Sequence, residues 1–154
     1  MFLLDTNIVS ASRKPSRNQD IVAWIDSQPR GSLRLAGPVA AELVRGARIV
    51  SDPVRRADLQ HWVAEIASTH EITDMSADAF VLLGEMLATP SLARFTQPAP
   101  GARRAHWGAD LQIAAIAITR DEPVATLNMR DFVLIHAEYP ALKAFNPRTG
   151  AQLR

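Results

Sequence analysis

Apolar residues open the chain as a short unbroken run, Phe2-Leu3-Leu4, which stops at the polar triplet Asp5-Thr6-Asn7. A run too short for a helix and apolar at successive positions predicts a strand buried on both faces, over about Phe2 to Asp5. Thr6 to Ala11 predicts a helical turn that stops near the loop Arg13-Lys14-Pro15-Ser16-Arg17. Ile21, Val22, Trp24 and Ile25 recur at amphipathic spacing, a helix ended by Gln28-Pro29-Arg30-Gly31. A second strand follows at Leu33 to Ala36, broken by Gly37-Pro38. Proline is favoured in the first turn of a helix, where its missing N–H is no loss, so the same pair starts a helix that turns Val39, Leu43 and Val44 inward.

The alternation continues. Asp52-Pro53 precedes a helix through Leu59, Trp62, Val63 and Ile66, then a short strand near Glu71 to Thr73. Ser76 is placed to cap a helix over Ala79 to Leu87 that ends before Pro90. From Thr89 to Ala109 the pattern is irregular, and a connection of that length is usually functional or mobile. An Ala- and Ile-rich helix over Asp110 to Thr119 reads as buried, Pro123 to Leu127 as another core strand, and Leu142 to Phe145 as an edge strand. Strands alternating with helices predict right-handed crossovers and an α/β fold: a three-layer α/β/α sandwich around a central, mostly parallel sheet.

Composition narrows the class. At 154 residues, 47% hydrophobic and 21% charged, without repeat or low-complexity segment, the chain predicts a single globular domain over residues 1–154. No apolar run approaches the ~20 residues of a membrane span, and no signal-peptide pattern opens the sequence, so a cytoplasmic protein without membrane contact is expected. The absence of cysteine excludes disulfides, thiolate zinc sites and cysteine nucleophiles. A net charge of +1 says little about partners, and the preference for arginine over the two lysines, Lys14 and Lys143, suits phosphate but equally reflects base composition.

Chemistry then depends on where the acids fall. Doubly wound sheets bind ligands beyond the carboxyl ends of their strands, which brings Asp5 and the residues after Thr126 to one crevice. Asp5 is either the N-cap of the following helix or a buried acid that something binds. Glu42, between apolar neighbours, either pairs with Arg45 or Arg48 or faces the crevice; Asp110 either complements a helix dipole or joins the same site. Oxygen ligands converging without Cys or His suit Mg²⁺ or Mn²⁺, and that donor set suits phosphodiester cleavage by metal-activated water. The histidines, His61, His70, His106 and His136, show no ligand spacing.

Four segments in order, Leu4-Asp5-Thr6-Asn7, Ala41-Glu42-Leu43-Val44-Arg45-Gly46, Asp110-Leu111-Gln112-Ile113-Ala114-Ala115 and Thr126-Leu127-Asn128-Met129-Arg130-Asp131-Phe132, resemble the motifs of PIN-domain ribonucleases. The resemblance is closest to the VapC-type and FitB-like toxins of bacterial type II toxin–antitoxin modules, and it spans nearly the whole chain. It implies an Mg²⁺- or Mn²⁺-dependent endoribonuclease in which Asp5, Glu42 and Asp110 bind metal while Thr6, Asn7 and Thr126 orient ligands or the attacking water. The fourth position falls to Asn128 or to Asp131, the latter being equally suited to capping the next helix. It further implies an RNA substrate, a cognate VapB-type antitoxin whose tail crosses the crevice rim, a homodimer, and a larger toxin–antitoxin assembly on DNA.

The chain departs from that pattern in its long segment before Asp110. Arg94, Arg103, Arg104, His106 and Trp107 lie there and either grip phosphate and stack an unpaired base, or form a solvated loop with Trp107 on the core. A non-catalytic PIN-fold module that binds RNA or antitoxin is the alternative to a nuclease. A phosphotransfer domain fits less well, since neither lysine is placed to meet a phosphoryl group near Asp5.

Overall fold

The computed structural model describes residues 1–97 and 108–154. Its strands form one six-stranded sheet in the order β3-β2-β1-β4-β5-β6. β1 (Phe2–Leu4) lies between β2 (Leu33–Ala36) and β4 (Val124–Ala125), with β3 (Glu71–Thr73) and β5 (Ala144–Phe145) outside them, all parallel; β6 (Gln152–Leu153) closes the edge antiparallel to β5. Consecutive strand residues face opposite sides, and Leu3 with Leu4, Leu35 with Ala36, and Val124 with Ala125 are all buried. Both faces are therefore covered by helices, the expected three-layer α/β/α arrangement.

The helices are α1 (Thr6–Ser12), α2 (Gln19–Ser27), α3 (Gly37–Arg48), α4 (Pro53–Thr69), α5 (Ala77–Ala88), α6 (Ala109–Arg120) and α7 (Met129–Glu138). Their starts follow the sequence signals. Pro38 sits in the first turn of α3. The Asp52 carboxylate accepts from the Arg55 amide at 2.6 Å to cap α4, and the Ser76 hydroxyl accepts from the Ala79 amide at 3.2 Å to cap α5. α6 is the most deeply buried, with Leu111, Ile113, Ala114, Ala115, Ile116 and Ala117 all inside.

Three expectations are refined. The strand read over Pro123 to Leu127 pairs only at Val124–Ala125, because Thr126 and Leu127 already turn into the loop that builds the site. The irregular segment begins with an ordered 3-10 turn, Pro90–Phe95, whose Leu92 and Phe95 are buried and whose Ser91 hydroxyl donates to Glu138 on α7 at 2.8 Å. The antiparallel β6 is an addition. Its two residues carry no pattern of their own, and the pairing is completed by the Gly150 turn (φ +74°) and by the Asn146 amide donating to the Ala151 carbonyl at 2.8 Å.

Candidate active site

The strand order reverses between β1 and β4, so the crevice at their carboxyl ends is where an open α/β sheet admits a ligand. Leu4 pairs with Ala125, which sets Asp5 and Thr126 side by side just beyond the sheet. Asp5 occupies the N-cap position of α1 without making the capping bond. Its carboxylate instead turns across the sheet: Oδ2 accepts from the Thr126 hydroxyl at 2.6 Å and from the Asn7 side-chain amide at 2.6 Å. Asn7 is fixed in turn, its Oδ1 accepting from the Leu127 amide at 2.9 Å, and Thr126 Oγ1 accepts from the Asn128 amide at 2.9 Å. Asp5 is 4% exposed. Burial raises its pKa above the ordinary value, the bond from Thr126 works against that, and the nearby charge of Glu42 adds to the rise.

Glu42 reaches the same crevice from α3, and its Oε2 accepts from the Thr6 hydroxyl at 2.5 Å. Asp110 enters from the first turn of α6. Burial, with the charges of Asp5, Asp131 and Glu42 behind it, pushes its pKa up to about 7. Gly108 permits this entry. It lies at φ +68° as the residue before α6, and a Cβ there would meet Thr96 Cγ2 at 3.2 Å.

The fourth segment behaves as a pair. Asn128 Nδ2 donates to Asp131 Oδ2 at 2.7 Å, while Asp131 Oδ1 lies 3.5 Å from a guanidinium nitrogen of Arg94. Neither residue makes a side-chain cap of α7, whose N-cap position is Asn128. Glu42, Asp110, Asn128, Asp131, Arg94 and Phe95, with Gly108 and Ala109, line a cleft of ≈ 320 Å³. Asp5 is held close by, beside the charges of Glu42 and Asp110. The acids of four distant segments thus share one neighbourhood, yet among the described residues no three acidic or histidine side chains are gathered into a chelating cluster. Like charges repel, and the carboxylates of Asp5 and Glu42 have each taken a hydroxyl donor.

Other expected residues fall elsewhere. Arg103, Arg104, His106 and Trp107 lie outside the described residues. His136 Nδ1 meets the Leu142 carbonyl at 2.8 Å and His61 lies 4.0 Å from Glu65 along α4, both structural placements. Lys143 donates to Asp121 at 2.6 Å at the amino end of the sheet, opposite Asp5, which leaves the phosphotransfer reading without its lysine. Phe95 at the cleft was not signalled by the sequence: a 3-10 turn lacks the periodicity that marks a helix face.

No family model matches the chain. The chain is 31% identical over 147 residues to the plasmid stability protein StbB of Pseudomonas syringae pv. tomato, covering 96% of this chain and 98% of that protein. It is 36% identical over 63 residues to ribonuclease VapC14 of Mycobacterium tuberculosis, a match spanning 40% of this chain and 61% of that one. Among solved structures, FitAcB from Neisseria gonorrhoeae superposes with a TM-score of 0.75 at 24% identity, covering 97% of this chain and 99% of its own. The chain belongs to the VapC/FitB-like PIN-domain toxins. DNA-bound VapBC from Salmonella typhimurium is a further structural relative of this PIN-domain toxin, with a TM-score of 0.62 at 25% identity over 95% of this chain and 97% of that one.

Proposed function

We propose that this PIN-domain toxin is an Mg²⁺- or Mn²⁺-dependent endoribonuclease. One observation carries the reading: Glu42, Asp110 and Asp131, from segments far apart in the chain, line one cleft, with the charge of Asp5 beside them. Like-charged carboxylates crowded at the carboxyl end of a sheet form an environment that a hard divalent cation stabilises, and an all-oxygen donor set fits Mg²⁺ or Mn²⁺.

Asp5, Glu42 and Asp110 would hold the cation, with the Asn128–Asp131 pair completing the rim. When bound, the cation supplies a more acidic water and positive charge at the scissile phosphate. The chain's own part is to place oxygens. Thr126 and Asn7 lock the Asp5 carboxylate in one orientation, and Thr6 does the same for Glu42. The ribonuclease named among the relatives supports RNA as substrate, and cleavage of mixed-sequence RNA tests it. Cleavage should need Mg²⁺ or Mn²⁺, stop with chelator, and be lost in Asp5→Asn and Asp110→Asn while far-UV circular dichroism is unchanged. Metal-independent cleavage that survives both substitutions rejects the proposal.

The alternative, a non-catalytic PIN-fold module that binds RNA or antitoxin, is favoured by the neutral side chain of Asn128 where a carboxylate would complete the site. Under it, wild-type protein binds RNA without cutting it. In either case the toxin–antitoxin complex among the structural relatives supports a cognate VapB-type antitoxin and an assembly on DNA. Exposed Phe80, Val81 and Leu87 along α5 support the homodimer. The cytoplasmic setting follows from RNA as substrate; among the described residues no helix is long and apolar enough to cross a membrane.

A further inference from the structure

We infer that Arg94 is the substrate-phosphate arm of the cleft, held over it by Asp131 and by the ring of Phe95; the inference rests on the nuclease reading just given.

The backbone under Arg94 is anchored. Within the 3-10 turn Pro90–Phe95, Leu92 and Phe95 point inward and are buried, and the turn is tied to α7 and its C-cap by Ser91 to Glu138 at 2.8 Å and by Thr89 to Tyr139 at 3.0 Å. Arg94 projects the other way, with 50% of its side chain in solvent, its guanidinium 5.8 Å from the Phe95 ring centroid and 3.5 Å from Asp131 Oδ1. It lines the same cleft as Glu42 and Asp110.

Magnitudes decide what such a pair is for. An ion pair at 3.5 Å with one partner half in solvent is weak, too weak to explain Arg94 as a fold staple and easily exchanged for another anion. The second carboxylate oxygen of Asp131 is engaged by Asn128, so Asp131 can hold the arginine loosely while its own orientation stays fixed. The cleft has a matching need. Glu42, Asp110 and Asp131 line the cleft, so a polyanion entering there meets like charge and is helped by a cation at the rim. Arginine's planar fork can give two parallel N–H bonds to a phosphodiester.

The test uses the full-length chain and a short, fluorescein-labelled, mixed-sequence oligoribonucleotide, with binding read by anisotropy in calcium buffer over a salt series. Arg94→Ala should weaken binding by roughly tenfold and flatten the slope of log K against log salt by about 0.7, one phosphate contact fewer on a single strand. Arg94→Lys should keep the slope and lose only a few-fold, since the charge remains while the fork is gone. Mn²⁺ affinity without RNA, read by calorimetry, should be unchanged in both. Unchanged RNA affinity and slope in Arg94→Ala overturn the inference, as does an altered Mn²⁺ affinity that accounts for the loss. If wild type binds RNA with an Arg94-dependent slope but never cleaves it, the nuclease reading fails and the arm stands. If Arg94→Ala cleaves with unchanged kcat and KM, the arm fails and the nuclease reading stands.

Discussion

At the level of single residues, the two acids Asp5 and Glu42 are answered by neutral donors. Asp5 is buried beyond β1, and a carboxylate there is tolerable because Thr126 and Asn7 both donate to its Oδ2. Thr126→Val keeps the shape and removes one donor, so it should cost about 1–3 kcal/mol in urea unfolding. Asp110 gives a pH signature. An ordinary aspartate ionises near 3.8, and in the fold this one ionises near 7. Between those values the folded protein keeps a proton that the unfolded chain has lost, so stability falls as pH rises through that window. Asp110→Asn removes the dependence. In chelator it should match wild type near pH 4 and melt several degrees higher at pH 8; equal melting temperatures at both pH values would refute the crowding of charge described above.

Helices and strands were legible in proportion to how regularly they bury their residues. β1 read directly from Phe2-Leu3-Leu4, because strands covered on both faces show as apolar runs, β2 read from the short segment Leu33 to Ala36 ahead of Gly37-Pro38, and the caps of α4 and α5 read from Asp52 and Ser76. What failed to read has no period: the Pro90–Phe95 turn, the two-residue β6, and the early end of β4, where Thr126 leaves the ladder to hold Asp5. The acids themselves were legible by position, since Asp5 and Asp110 sit at element boundaries. Arg94 stood out only as one of several basic residues in an irregular stretch, and what it faces depends on a turn that pattern could not reveal. Two glycines separate these causes. Gly108→Ala forces a side chain into left-handed backbone and against Thr96, so it should destabilise by about 1–2 kcal/mol and weaken Mn²⁺ binding, because it moves the start of α6. Gly84→Ala, in mid-α5 with nothing within 4 Å of the new Cβ, should stabilise by about 0.5–1 kcal/mol and leave Mn²⁺ binding alone.

Across the whole molecule the two ends of the sheet handle charge differently. At the amino end, acids are matched by arginines: Arg34 donates to Glu122 at 2.9 Å and lies 3.1 Å from Glu71, and Arg120 lies 3.5 Å from Glu122. That end is closed electrostatically within the chain. At the carboxyl end Asp5 is met by a hydroxyl and an amide, and Asp110 is crowded by like charges, so folding has left a demand for positive charge that an ion from solution can meet. A cation binding the folded form alone stabilises it by mass action, by about 2.7 kcal/mol at a hundredfold excess over its Kd. Mn²⁺ or Mg²⁺ should therefore raise the melting temperature by several degrees, the increment should grow from pH 6 to pH 8 as Asp110 gives up its proton, and Asp5→Asn should abolish it. Arg34→Met provides the contrast. It removes the shorter of the two arginine contacts to Glu122, whose side chain is 11% exposed, and should lower stability by about 1–3 kcal/mol while leaving the Mn²⁺ increment intact. A thermal shift series over those variants separates a cation bound in the crevice from one bound loosely anywhere on an acidic surface: only the first loses its increment with Asp5 and keeps it with Arg34.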